Sequence, residues 1–141
     1  MGLFFIVTLH SKRDSTMNQI EVDYDKKFLK EKRKLQSKCT SLEKDFERFE
    51  KALKIKIKEN DYKVPVDNKK IFKIAGLDKR VTFPAFVVKS FYCENMNKCS
   101  NSGFRVTFVY DPVEKFIYFT QFYFKQKHEI EDKDRINRLF K

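Results

Sequence analysis

The sequence predicts an α+β domain: a small, twisted, mostly antiparallel sheet, with an N-terminal helical hairpin on one face and a short C-terminal helix. Three observations carry this. Residues 25–58 contain no glycine or proline, and Leu42, Phe46, Phe49 and Leu53 recur there at helical spacing, on one face. Residues 102–129, SGFRVTFVYDPVEKFIYFTQFYFKQKHE, form two aromatic, β-branched runs around Asp111-Pro112, the signature of a hairpin. Helical and extended runs are segregated rather than alternating, which favours helices packed against an antiparallel sheet.

The elements follow in order. Residues 1–18 are read as an extension, with an additional strand as the other reading; Met17 opens an ordinary domain start. The apolar run from Leu3 to Leu9 is too short to span a bilayer. It lacks the cationic flank and cleavage site of a secretory signal, and Ile6 stands where N-myristoylation needs Ser or Thr. Ile20, Val22 and Tyr24 alternate with acids, giving a strand with one buried face. Asp25 can cap a basic helix over KKFLKEKRKLQSK, with Phe28, Leu29 and Leu35 as its narrow apolar stripe. Thr40 and Glu43 have capping-box spacing, so a second helix starts there. The short connection makes the two helices an antiparallel hairpin.

KENDYKVPVDNKK reads as a loop, and KIFKIAG as a short strand or turn. FPAFVVKSFYC reads as a strand with Phe86, Val88, Ser90 and Tyr92 on one face and Val87, Lys89 and Phe91 on the other, beginning near Pro84. After the hairpin, EIEDKDRINRLFK reads as a short charged helix that buries Ile130, Ile136 and either Leu139 or Phe140.

The chain of 141 residues fits a single domain spanning 19–141, and its 41% apolar content can build a core. The formal net charge of +11 points to a polyanionic partner without choosing among nucleic acid, membrane surface and acidic protein. Cys39, Cys93 and Cys99 do not resemble a secreted disulfide framework, so a reducing cytoplasm is the expected compartment. Cys93 and Cys99 are spaced too widely for the usual zinc pair, and no metal site is expected. With three glycines, no Walker A loop and no G-x-S-x-G element, the sequence offers nothing to cradle a nucleotide cofactor.

The hairpin gathers cations at one end. Pairing Tyr110 with Phe116 sets Arg105 opposite Gln121 and Thr107 opposite Phe119. One face then holds Val109, Ile117 and Phe119 at the closed end, and Arg105, Gln121, Tyr123 and Lys125 at the open end. The other face carries Phe104, Val106, Phe108, Phe116, Tyr118, Phe122 and Phe124 toward the helices. A cluster of Arg, Tyr and Lys at a sheet rim suits single-stranded RNA: cations meet phosphates and a ring stacks on a base. On the first helix, Lys26, Lys30, Arg33 and Lys34 offer further phosphate contacts or simply a solvated face.

These residues resemble the RelE/ParE superfamily of toxins from toxin–antitoxin pairs. The resemblance covers roughly residues 19–141 and is strongest from FPAFVVKSFYC through SNSGFRVTFVYDPVEKFIYFTQFYFKQKHEIEDKDRI. Its most characteristic piece is S-G-x-R-V, followed by an acidic turn, an aromatic strand and a lysine-rich entry to the last helix. The resemblance implies a RelE-like fold, a cognate antitoxin as partner, and a metal-independent endoribonuclease that cleaves messenger RNA, commonly on the ribosome, by attack of the 2′-hydroxyl. No membrane and no small-molecule cofactor are expected. The alternatives are a ParE-like toxin that binds DNA gyrase without catalysis, and an inactive RNA-binding relative.

The reaction needs a proton acceptor for the 2′-hydroxyl, positive charge for the phosphorane, and an acid for the leaving oxygen. By resemblance Arg105 stabilises phosphate, Lys125, Lys127 and His128 stand where the family places its second cationic or histidine group, and Lys89 lies on a strand that supplies basic residues. RelE-like members carry a tyrosine at the start of the last helix, and this chain has EIEDKDRI there. His128 is then first in line as acid or base, its ordinary pKa lying near neutrality, and Tyr123 is second.

Overall fold

A computed structural model describes residues 19–63, 70–89, 91–94, 103–125 and 131–141. The expectations for residues 1–18, Ser90, Cys99, Lys127, His128 and Ile130 lie outside the described residues.

The chain runs β1 (Glu21–Tyr24), α1 (Lys26–Leu35), α2 (Leu42–Glu59), β2 (Ile71–Lys73), β3 (Ala85–Val88), β4 (Phe104–Asp111), β5 (Phe116–Phe124) and α3 (Lys133–Phe140). The five strands form one sheet in the order β1-β5-β4-β3-β2. Among the described residues only the β1–β5 pair is parallel. A parallel neighbour needs a crossover, and everything from α1 to β4 supplies it. The α+β class, with a mostly antiparallel sheet, is the class the sequence predicts.

The first helix begins where the acidic cap stands: the Asp25 carboxylate accepts from Lys27 N at 3.1 Å. Phe28 is its buried anchor, whereas Leu29 faces out at 38% exposure. The second helix starts one residue later than the capping-box spacing predicts. Ser41, not Thr40, is the N-cap, and its hydroxyl donates to the Asp45 carboxylate at 2.7 Å instead of capping the backbone. That carboxylate sits 3% exposed, so the hydroxyl serves a buried charge rather than the helix end.

Alternation along the strands sorts the core into two clusters. Phe28, Leu42, Phe46, Leu53 and Ile57 from the helical hairpin pack against Phe104, Val106, Phe108, Tyr110, Ile117, Phe119 and Phe122. On the opposite face Val87, Val109, Phe116 and Tyr118 pack against Ile136 and Phe140 of α3. Aromatic rings dominate the first cluster; Phe46 meets Phe28, Phe119 and Phe122 with centroids 5.4, 5.0 and 5.8 Å apart. Such offset and edge contacts add to area burial.

The hairpin register corrects the sequence reading. Asp111 pairs with Phe116 and Tyr110 with Ile117. The turn is shorter by a residue than the expected pairing allows: the Asp111 carboxylate accepts from Val113 N and Glu114 N, and Lys115 closes the turn at φ 57°. Ile117 and Phe119 therefore lie on the helical-hairpin face, and Phe116 and Tyr118 on the face of Val109, the reverse of the prediction. The register shifts again between Thr107 and Phe108, which pair with Gln121 and Phe119, so Thr120 is an inserted residue. Such a β-bulge puts two residues against one and reverses alternation beyond it. Parity is restored toward the open end, where Arg105 pairs with Tyr123, not with Gln121.

The strand around Phe86 is also shorter than predicted. It ends at Val88, and Phe91 joins the cluster of Phe86 and Val88 rather than lying with Val87. Alternation holds only while the ladder does.

Candidate functional site

Two strands and a bulge assemble the open end of the sheet. On the α3 face, Arg105 and Tyr123 stand opposite one another, with Thr107 and Gln121 the next pair in. Lys125 N–H donates to Gly103 O at 2.9 Å, carrying the ladder one step past β5, so alternation brings Lys125 to the same face. Gly103 takes φ +90°, and a Cβ there would meet the Phe124 ring at 2.8 Å. Glycine is what lets the strand start this close to its partner.

Arg105 is half-buried. Its Nη1 donates to the carbonyl of Lys89 at 2.8 Å and to that of Phe104 at 3.3 Å. These partners are neutral, so they orient the guanidinium without cancelling its charge. Lys89 itself is exposed, its ammonium 4.9 Å from the Phe72 ring centroid. Lys89, Arg105 and Lys125 are thus the cations that the described residues bring to this end.

Tyr123 and Gln121 behave differently from their expected roles. Tyr123 is 4% exposed, so its ring has no open face on which a base could stack. Burial, with Glu131 beside it, pushes its hydroxyl up to about 12 against the opposing pull of Arg105. A phenol held that high is protonated at neutral pH and can give a proton but not take one. Gln121 is 5% exposed, and its amide oxygen accepts from Asp132 N at 2.8 Å. It fastens the N-terminus of α3 to β5.

The bulge explains a feature the sequence reading missed. β1 pairs with β5 only as far as Phe119, leaving the outer edge of β5 to find partners from there on. Glu31 and Arg135 provide them. Glu31 Oε1 accepts from Phe122 N at 3.1 Å, and Arg135 Nη1 donates to Thr120 O at 2.7 Å. The two side chains then pair with each other in a two-pronged contact at 2.9 and 2.8 Å. One acid on α1 and one base on α3 so close the edge and tie both helices to the strand that bears the site. The signal the sequence carries for this is one acid, Glu31, in an otherwise basic helix.

On α1, Lys26, Lys30, Arg33 and Lys34 are all exposed. Lys34 lines an open cleft of about 390 Å³ between the end of α1 and the end of β5, together with Lys38, Leu35 and Phe124. The Lys38 ammonium lies 5.1 Å from the Phe124 ring centroid. The basic end of α1 therefore reaches the end of β5 at Phe124.

The cysteines are placed against expectation. Cys39 and Cys93 form a disulfide across 54 residues, joining the turn before α2 to the segment after β3. Among the described residues Cys39, Asp45 and Cys93 are also the group dense enough to hold a metal ion, and the sulfur–sulfur bond occupies both thiol ligands. No helix of the described residues is long and apolar enough to cross a membrane. Compared with known proteins, the chain matches no family model, no curated protein and no solved structure.

Proposed function

We propose that this protein is a toxin of a RelE-like toxin–antitoxin pair, a metal-independent endoribonuclease that cleaves messenger RNA, on the ribosome or bound to it, and halts translation in the cytoplasm. The observation that carries the reading is Arg105: a half-buried guanidinium at the open end of the sheet, oriented by the Lys89 carbonyl and flanked by exposed Lys89 and Lys125. A pre-oriented cation of this kind stabilises the charge that develops on a phosphorane without reorganising at the moment of reaction. Its planar fork suits phosphate oxygens. Lys26, Lys30, Arg33 and Lys34 extend the cationic track for the RNA backbone, and the net charge of +11 supports a polyanionic partner. Of the proton-transfer groups, His128, which follows Lys125 and Lys127 in sequence, is first in line as acid or base; Tyr123 is second, protonated at neutral pH but made a weaker acid by its burial. A cognate antitoxin would neutralise the chain by covering the Arg105 end.

A second reading, an RNA-binding relative that has lost catalysis, is favoured by the burial of Tyr123 and the engagement of Gln121. Induced expression followed by primer extension on total RNA separates the two. New RNA ends in the wild type, reduced about a hundredfold or more in Arg105→Ala, support the nuclease. RNA retention without new ends supports the relative. Growth arrest with gyrase-dependent DNA breaks and no new RNA ends points instead to a ParE-like action and overturns both.

A further inference from the structure

We infer that Cys39 and Cys93 form a reversible thiol–disulfide clasp that controls how firmly Arg105 is held; the consequence for RNA rests on the ribonuclease reading above. The bond joins two elements far apart in sequence. Cys39 lies in the connection between α1 and α2, and Cys93 lies four residues beyond Lys89, whose carbonyl orients Arg105. Closing the bond pins the chain that carries that carbonyl to the base of the helical hairpin.

The surroundings suit both redox states. Cys39 Sγ lies 3.3 Å from Ser41 Oγ and 3.7 Å from Asp45 Oδ2, so a thiol released there has acceptors at hand. Glu94 N–H donates to Asp45 Oδ2 at 3.0 Å. The segment keeps this tether and the packing of Phe91 against Phe49, Phe104 and Phe122 when the sulfurs part, so opening loosens it without detaching it. Both sulfurs are buried, at 1% and 0% exposure, but the residues flanking Cys39, namely Ser37, Lys38 and Thr40, are exposed. Local opening of this turn is the route by which a reagent reaches Cys39.

The chemistry is exchange with a dithiol. One thiolate of the dithiol bonds to Cys39 Sγ and breaks the bond to Cys93, which leaves as a thiolate and takes up a proton. The second thiol of the reagent then closes on the first, releasing Cys39 as a thiol. The protein gains two electrons and two protons, and the dithiol becomes a cyclic disulfide. Oxidation runs in reverse, with a small-molecule disulfide such as glutathione disulfide as acceptor. The same two sulfurs and Asp45 could otherwise bind a metal, but the bond between the sulfurs takes both thiol ligands.

The test uses the full chain, oxidised with glutathione disulfide or reduced with dithiothreitol, alongside Cys39→Ser/Cys93→Ser and a Cys99→Ser control. Alkylation under denaturing conditions should add one label to the oxidised wild type and three to the reduced one, out of the chain's three cysteines. Amide exchange at residues 91–94 should speed up about tenfold on reduction. RNA cleavage should fall about tenfold as Arg105 loses its fixed acceptor, and the double variant should match the reduced wild type in either buffer, while Cys99→Ser should respond like wild type. Three labels on the oxidised chain, or exchange unchanged by reduction, would overturn the clasp. Cleavage that is present and equal in both states would overturn its control of Arg105. If neither state cleaves or retains RNA, the ribonuclease reading fails, and labelling and exchange still decide the clasp.

Discussion

Arg105 and its carbonyl partners show how one side chain can be held without being neutralised. A guanidinium paired with a carboxylate is committed; one resting on backbone oxygens keeps its charge for a ligand. Arg105→Lys should therefore lose most activity despite retaining the charge, because a single ammonium cannot span two acceptors and a phosphate; comparing kcat and KM for the two variants on one RNA checks this. The tyrosines make a second point. Tyr110 is pushed up to about 12, mainly by burial, and donates to Tyr62 O at 2.8 Å. Tyr123 is raised similarly, and Tyr24 and Tyr118 are also driven upward by burial and by nearby carboxylates. In the unfolded chain each ionises near 10. Between there and about 12 the folded state binds more protons than the unfolded, so the stabilisation is complete below pH about 10 and is lost as pH rises toward 12. Circular dichroism and tyrosinate absorbance should therefore change together in one cooperative step above pH about 10. Tyrosinate appearing near pH 10 with the dichroism unchanged would contradict this.

The bulge in β5 is where strand, helix and charge depend on one another. Without the inserted Thr120, either the closed end or the open end of the hairpin would present its side chains to the wrong face. Beyond β1, Glu31 and Arg135 bond this edge of the strand among the described residues. Glu31→Ala takes the two-pronged partner from the Arg135 guanidinium, 8% exposed, and leaves the Phe122 N–H without its acceptor. It should destabilise the fold by about 3 kcal/mol, read as a lower urea midpoint at unchanged slope. Replacing both with apolar residues, as in Glu31→Leu/Arg135→Met, should cost less than the sum of the single changes. In the helical hairpin, Phe46 bridges Phe28, Phe119 and Phe122. Phe46→Ala should cost about 3–5 kcal/mol, the usual range for emptying a buried aromatic site.

Charge and covalent closure act on the molecule as a whole. The excess of 31 Lys and Arg over 20 Asp and Glu makes any RNA complex depend on counterion release. Affinity for a short single-stranded RNA should fall linearly with the logarithm of salt concentration, and Lys30→Ala/Arg33→Ala/Lys34→Ala should flatten that slope. An unchanged slope would remove α1 from the RNA path. The Cys39–Cys93 bond closes a loop with a sequence separation of 54. By loop-closure entropy it contributes up to about 4 kcal/mol, so Cys39→Ser/Cys93→Ser should unfold at lower denaturant than the oxidised wild type.

Much of this could be read from the chain directly, because hydrophobic period and punctuation are local. The helical faces of Phe28 and of Leu42, Phe46 and Leu53, the Asp25 cap and the hairpin about Asp111-Pro112 all follow from spacing within a few residues. The register of that hairpin did not, because it depends on how the turn closes at Lys115 and on an insertion at Thr120 that leaves the pattern of aromatic residues looking regular. The same holds for the parallel pairing of β1, the Glu31–Arg135 contact, the burial of Tyr123 and the Cys39–Cys93 bond. Each joins residues far apart in sequence, where no spacing rule reaches, and each exists because burying one element leaves polar groups or sulfur that only a distant partner can satisfy.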